Sequence, residues 1–237
     1  MTYYTNISTS TYSVDIKTSP QMSDVILCLS IPGAIVPDMV LDDSTAIGGG
    51  FTGKVYRMRN VKTEQYYAAK VLPNDPSSAW DVQMFSKAAE RLAGKNVVPE
   101  LYGVREILDG QWLVIVMQLL QPLPENNYRV SAREIRRCLQ TFHEAGFGHG
   151  DVHMDNFMWD PETETVRIID FGLAYDYEDP PTGPFRFLPN VLRGKKIGVN
   201  MQRMIRNVDR NSIESVRRAD FMVDDQRMEA VIDFLSL

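Results

Sequence analysis

Residues 149–156 read HGDVHMDN, a short polar run set between two apolar segments of strand-like composition. It holds two acids, Asp151 and Asp155, and the amide Asn156. A further acid, Asp170, follows nineteen residues after Asp151 in the run IIDFG. Oxygen ligands of this kind can hold a hard divalent cation and leave one carboxylate beside a hydroxyl, which is what phosphoryl transfer asks of a protein.

On the C-terminal side, FMWD and VRIID flank the turn residues PETET, so this stretch reads as a short hairpin presenting polar ends at one edge. On the N-terminal side, SAREIRRCLQTFHEAGFG reads as a helix. Ser131 and Glu134 match a capping box, Ile135, Cys138, Leu139 and Phe142 mark a buried stripe, and Gly146 and Gly148 end it. The residues after Gly172 are mostly helical in character, closing with VRRADFMVDDQRMEAVIDFLSL, an amphipathic helix whose charges are expected to form a solvated face. Residues 121–128, QPLPENNY, have the composition of a linker.

Upstream of that linker the pattern is that of a small antiparallel sheet with one helix. IGGGFTGKVYRMRN reads as a strand, a glycine-rich turn and a second strand carrying Val55 and Tyr56, with Gly48, Gly50 and Gly53 in G-x-G-x-x-G spacing. Such glycines let the backbone approach a polyphosphate and aim N–H groups at its oxygens. A helix straight after the third glycine would indicate a dinucleotide fold, but a strand follows here. Lys70, seventeen residues after Gly53, lies in the strand YYAAKVL, from which its ammonium can meet phosphates beneath the turn. Residues 77–93 show helical spacing, with Val82, Phe85, Ala89 and Leu92 on one face and Gly94 as the stop. ELYGVREIL and WLVIVMQLL flank Asp109 and Gly110, a hairpin turn.

The remaining features bound the answer. With 237 residues the chain can form two small lobes sharing an interface, and its 25 basic against 31 acidic residues argue against a nucleic-acid surface or a polybasic membrane contact. The two cysteines, Cys28 and Cys138, read as free thiols of a reducing compartment. No stretch has the length and apolarity of a spanning helix and no signal peptide is evident, so a soluble, intracellular protein is expected. The first twenty or so residues read as an extended leader. In residues 24–40, Pro32, Gly33 and Pro37 break any long helix and suggest short strands or a packed extended arm.

Taken together, the glycine turn, Lys70, HGDVHMDN and Asp170 stand in the order and approximate spacing of the protein-kinase signature set, and over residues 44 to about 175 the chain resembles the protein-kinase-like superfamily. The resemblance implies an α+β, two-lobed fold: a small antiparallel-sheet lobe with one helix over residues 44–120, a reduced, mainly helical lobe over 121–237, and an extension over 1–43. It implies ATP and Mg²⁺ as cofactors and a protein substrate. Gly48, Gly49, Gly50 and Gly53 would cover the phosphates, Val55 and Ala68 would line the nucleotide site, and Lys70 would hold the α- and β-phosphates. Met117 would stand at the back of the adenine pocket, with Gln118, Leu119 and Leu120 as the hinge. Asp151 would be the catalytic base and Asn156 and Asp170 the metal ligands, while His149 would brace the loop. Asp81 stands where the family has the glutamate that pairs with the lysine, with Glu90 as the alternative.

Three departures qualify the resemblance. Gly150 replaces the arginine that reads a phosphorylated activation loop in many protein kinases, so activity is not expected to depend on such a modification. No A-P-E follows the DFG, and YDYEDPPTGPFRFLPN is short and proline-rich, which implies a reduced substrate platform. His153 occupies a catalytic-loop position where serine/threonine kinases usually carry lysine, a form closer to small-molecule phosphotransferases such as aminoglycoside and choline kinases, whereas IIDFGLA is closer to protein kinases. A serine/threonine protein kinase is the first expectation, a phosphotransferase for a small hydroxylated molecule the second, and a binding scaffold without activity the third.

Overall fold

Period-two alternation in the central strands sets the architecture. The structure, a computed structural model, describes residues 21–49, 53–124, 128–179 and 212–235. Its first lobe is a six-stranded antiparallel sheet in the order β1 (Met39–Leu41), β3 (Lys54–Asn60), β4 (Tyr66–Pro73), β6 (Trp112–Gln118), β5 (Leu101–Ile107), with the two-residue β2 (Gly48–Gly49) also paired to β3. The β5–β6 hairpin turns where expected, through left-handed φ values at Leu108, Asp109 and Gly110. Neighbouring strand residues point to opposite faces. Ala69, Val71, Val114 and Val116 therefore enter one apolar cluster, and Leu72, Leu113 and Ile115 the other.

Residues 22–41 complete the outer cluster. Helix α1 (Met22–Leu29) is short, stopping before Pro32, and lays Val25 and Leu29 over the sheet against Met58, Val71 and Val116. The prolines thus leave room for a single eight-residue helix and a three-residue edge strand. The expected leader over the first twenty residues lies outside the described residues.

Helix α2 (Pro76–Arg91) packs on the inner face, started by Asp75, whose side chain accepts the Ser78 N–H at 2.8 Å, and by Pro76 in its first turn. Its buried face is turned from the expected one. Phe85 and Leu92 are buried as foreseen, but Trp80, Asp81, Met84 and Ala88 are buried as well, while Val82 and Ala89 are only half-buried at the edge of that face. Contacts with the second lobe cause the rotation: the Trp80 indole N–H donates to the Ala174 carbonyl at 3.1 Å, and Phe85 stacks on Phe171.

The second lobe opens with α3 (Tyr128–Glu144), which buries Ile135, Cys138, Leu139 and Phe142 as expected. The capping box is not formed. The helix starts three residues before Ser131, leaving that buried hydroxyl without a hydrogen-bond partner among the described residues, and Glu134 pairs with Arg137 at 2.6 Å instead. Strand β7 (Phe147–Gly148) pairs with β10 (Tyr175–Asp176), and β8 (Phe157–Asp160) with β9 (Thr165–Ile168), the hairpin foreseen around PETET. Helix α4 (Ile213–Leu235) closes the lobe. Its charges do not all form a solvated face: Asp220 and Asp224 are buried, because the backbone and side-chain donors packed against that face need acceptors. The chain is thus α+β and two-lobed, with a small sheet lobe and a reduced, mainly helical second lobe. Both cysteines are free, and burial pushes the Cys138 thiol up to about 12. No described helix is long and apolar enough to cross a membrane.

One buried ion cluster ties α2 to β10. Asp176 is fully buried and accepts from Arg91 at 2.7 and 2.8 Å and from Lys87 at 3.3 Å. Burial alone would raise its pKa, but the Arg91 hydrogen bonds outweigh that and hold the carboxyl below the usual range. A depressed folded-state pKa stabilises above the ordinary aspartate value of about 3.9 and is lost as pH falls through the depressed value. Melting temperature should therefore drop on acidification below about pH 4, and more shallowly in Arg91→Met, measured by thermal denaturation across pH.

Candidate active site

Cross-strand partners share a face of the sheet, and the register aligns Val55 with Lys70 and Lys70 with Ile115, and Ala68 with Met117. Val55, Ala68, Lys70 and Met117 thus lie together on the inner face. Here the Lys70 ammonium donates to Asp81 at 2.6 Å and to Asp170 at 3.2 Å. Burial works against its charge, but the two carboxylates outweigh burial and hold its pKa above the ordinary lysine value. Asp81 also accepts the Phe171 N–H at 3.1 Å, so one short side chain joins α2, β4 and the segment after Asp170. Glu90 is exposed and lies nine residues further on, about 13 Å along the helix axis. The shorter acid suffices because Trp80 and Phe85 draw α2 close.

A direct contrast follows. Asp81→Ala leaves Lys70 with one counter-ion and the Phe171 N–H unpaired, and should cost about 1–3 kcal/mol. Glu90→Ala should stay within about 0.5 kcal/mol of the parent. Chemical denaturation of both variants checks this.

The run HGDVHMDN is held from both sides. The His149 ring is fully buried; its Nδ1 lies 3.3 Å from the Asp151 N–H and its Nε2 3.0 Å from the Ile169 carbonyl, so Nδ1 accepts and Nε2–H donates. Burial lowers its pKa, in keeping with this neutral tautomer. Gly150 takes a left-handed φ of 77°. Asp224 of α4 accepts the N–H groups of His149 at 2.7 Å and Gly150 at 3.0 Å, and Arg227 donates to the Gly150 carbonyl at 2.8 Å. His143 of α3 lies 3.3 Å from Asp224. These α4 residues escaped the sequence reading. The available signal was that Asp220 and Asp224 fall within the same helical stripe as Val216, Val223 and Val231.

The β8–β9 register pairs Phe157 with Ile168, so Asn156 and Ile169 follow at the open end of the hairpin and Asp170 comes one residue later. The Ile169 N–H donates to the Asn156 carbonyl at 3.0 Å. The Asn156 amide nitrogen lies 2.8 Å from the Asp151 carbonyl and 2.9 Å from His153 Nε2, leaving its Oδ1 without a donor among the described residues. His153 and Asp151 approach to 3.6 Å, and both side chains are about half exposed, at 47% and 42%. Asp170 has a left-handed φ of 64°, an uncommon conformation that presents its carboxylate toward Lys70. Burial would raise its pKa, but the Lys70 charge outweighs burial and holds it low. No group of three or more His, Cys, Asp or Glu placed to hold a metal ion occurs among the described residues. A free amide oxygen and an ionised carboxylate nevertheless fit a cation that keeps several waters and takes phosphate oxygens.

The glycine turn is only partly described, since Gly50 lies outside the described residues. Gly48 pairs with Val55 and Gly49 with Lys54, and a Cβ on Gly53 would fall 2.3 Å from the Val71 carbonyl oxygen, so no larger residue fits without a shift. Gln118, expected in the hinge, is tied on two sides: its N–H donates to the Glu100 carbonyl at 2.9 Å and its amide to Asp160 at 3.0 Å, while Asp160 also accepts from Arg167 at 2.5 Å. Leu119 follows in the extended stretch beyond β6. The proline-rich segment, read as a sign of a reduced or replaced substrate platform, lies outside the described residues from position 180.

A family model described as "Protein kinase domain" matches residues 41–190. Among curated proteins, the chain is similar to two from Arabidopsis thaliana: serine/threonine-protein kinase AtPK1/AtPK6 and serine/threonine-protein kinase AtPK2/AtPK19. Each is 27% identical over 168 residues, covering 63% of this chain and 36% of the relative. The chain thus spans about a third of the length of these relatives. With Lys70 held between Asp81 and the DFG aspartate, Asp170, and the family match extending over more than half its length, the chain belongs to the protein kinase domain family.

Proposed function

We propose that the chain is a serine/threonine protein kinase that transfers the γ-phosphoryl group of ATP to a protein hydroxyl with the help of Mg²⁺. The observation carrying this reading is Lys70 held between Asp81 and Asp170, at 2.6 and 3.2 Å, on the inner face of the sheet. An ammonium so placed is preorganised for phosphate oxygens, and electrostatic preorganisation is the main resource of phosphoryl transfer. Gly48, Gly49, Gly50 and Gly53 cover the phosphates, and Val55, Ala68 and Met117 line the base site, with Gln118 and Leu119 meeting the base edge. Asn156 Oδ1 and the Asp170 carboxylate would hold the metal. Mg²⁺, when bound, neutralises the charge that builds up on the phosphate oxygens.

Asp151 orients the acceptor hydroxyl and takes its proton as the new P–O bond forms and ADP departs. His153 stands beside it on the acceptor side. Its Nε2 lies 2.9 Å from the Asn156 amide nitrogen and 3.6 Å from the Asp151 carboxylate, so the ring bridges the proposed base and the proposed metal-binding amide.

Incubation with labelled ATP, Mg²⁺ and a mixture of protein substrates should label serine or threonine. Label found only on a small molecule from cell extract would replace the protein acceptor by a small hydroxylated one. Absence of both ATP hydrolysis and a Tm shift with Mg-ATP would leave a binding scaffold.

A further inference from the structure

Beside the catalytic loop, Val152, His153 and Met154 face Arg227, Ala230 and Val231 of α4 across an open cavity of about 310 Å³. It begins at the residue after Asp151, so an acceptor whose hydroxyl reaches that carboxylate carries its neighbouring side chain to this cavity. The floor is apolar, from Val152, Met154, Ala230 and Val231, and the polar groups at its edge are basic or neutral. No carboxylate lines it.

Arg227 is set apart by its pairing. The other described arginine side chains of the second lobe each have a carboxylate within 4.0 Å: Glu134 serves Arg133 and Arg137, and Asp160, Glu178, Glu214 and Glu229 serve the rest. Arg227 has none among the described residues. Its one hydrogen bond among the described residues is donated to the Gly150 carbonyl at 2.8 Å, which fixes the guanidinium at the cavity and leaves its other N–H groups for a partner. An arginine held by a single neutral acceptor, half-buried and without a counter-ion, is matched by a carboxylate.

Resting on the protein-kinase reading above, we infer that this cavity selects protein substrates carrying an acidic side chain within a few residues of the acceptor serine or threonine. Its aliphatic stem lies on Val152, Met154 and Val231, and its carboxylate meets Arg227. The site reads charge through α4, the helix that also holds the loop by Asp224, so acceptor choice and loop position share one element.

Peptide kinetics with the full chain test this. Serine peptides bearing Glu, Ala, Lys or phosphoserine at each of the three positions on either side of the acceptor are compared by kcat/KM. Glu at one position should be favoured about tenfold over Ala, and Lys disfavoured. In Arg227→Gln, which can still donate to the Gly150 carbonyl, the Glu-to-Ala ratio should fall to near one, and in Arg227→Glu the order of Glu and Lys should reverse. Peptides phosphorylated without acidic preference, or with a preference unchanged in both variants, overturn the assignment. A preference for phosphoserine without one for Glu overturns the carboxylate in favour of a phosphate. Transfer to no peptide at all, with a small molecule labelled instead, overturns the protein-kinase reading itself.

Discussion

Asp170→Asn is expected to lower phosphoryl transfer by about a thousandfold while leaving the protein folded. The substitution keeps the size of the side chain, and asparagine tolerates the left-handed φ of 64° at least as well as aspartate does. What it removes is charge. Asp170 is the acid that Lys70 meets at 3.2 Å and a proposed oxygen ligand for the metal, and an amide oxygen is a much weaker partner for either cation. Lys70 keeps Asp81 at 2.6 Å, so the pair that joins α2 to the sheet survives and Tm should move by only a few degrees. Steady-state transfer rates beside a thermal melt check both halves. A variant with unchanged activity would show that the Asp170 carboxylate takes no part in the reaction.

Asp224→Ala is expected to have the largest effect on stability, and to reduce activity through the loop rather than through direct contact. Its carboxylate is buried and accepts the N–H groups of both His149 and Gly150. Truncation leaves two buried donors without partners, at about 1–3 kcal/mol each, which corresponds to a fall in Tm of roughly 5–15 °C for a chain of this size. It also frees Gly150, whose left-handed φ sets the direction in which Asp151 leaves the turn. Asp224→Asn retains one acceptor oxygen and should recover part of the loss. The variants are compared by thermal denaturation and by kcat, and the prediction fails if Asp224→Ala melts within about 2 °C of the parent.

These two positions differ in how visible they are in the sequence. Asp170 sits in IIDFG, where an apolar strand ends in an acid and a turn, and its role is suggested by local composition and spacing alone. Asp224 sits in a helix that alternates charges with apolar residues, and its pattern is that of any solvated amphipathic face. Its burial depends on which side of α4 the loop crosses, a fact of packing rather than of periodicity. The same difference explains the capping box: Ser131 and Glu134 have the right spacing for an N-terminus, but the helix begins earlier, at Tyr128, and spacing cannot exclude an additional turn.

What the sequence by itself determined are the features written within one strand, turn or helix. The apolar runs YYAAKVL and WLVIVMQLL specify strands, and the first carries Lys70. Asp109 and Gly110 specify the hairpin, and the glycine spacing the strand-turn-strand unit before it. What only the tertiary structure decided are the partnerships between elements distant in sequence. It set Asp81 rather than Glu90 against Lys70, turned α2 by way of Trp80 and Phe85, tied Gln118 to Asp160, and placed Asp224 and Arg227 against the loop at His149 and Gly150. The physical reason is range. Strand and helix patterns report the face that a residue turns to apolar surroundings, whereas a buried charge is placed by the donors that packing brings to it, and those donors belong to other parts of the chain.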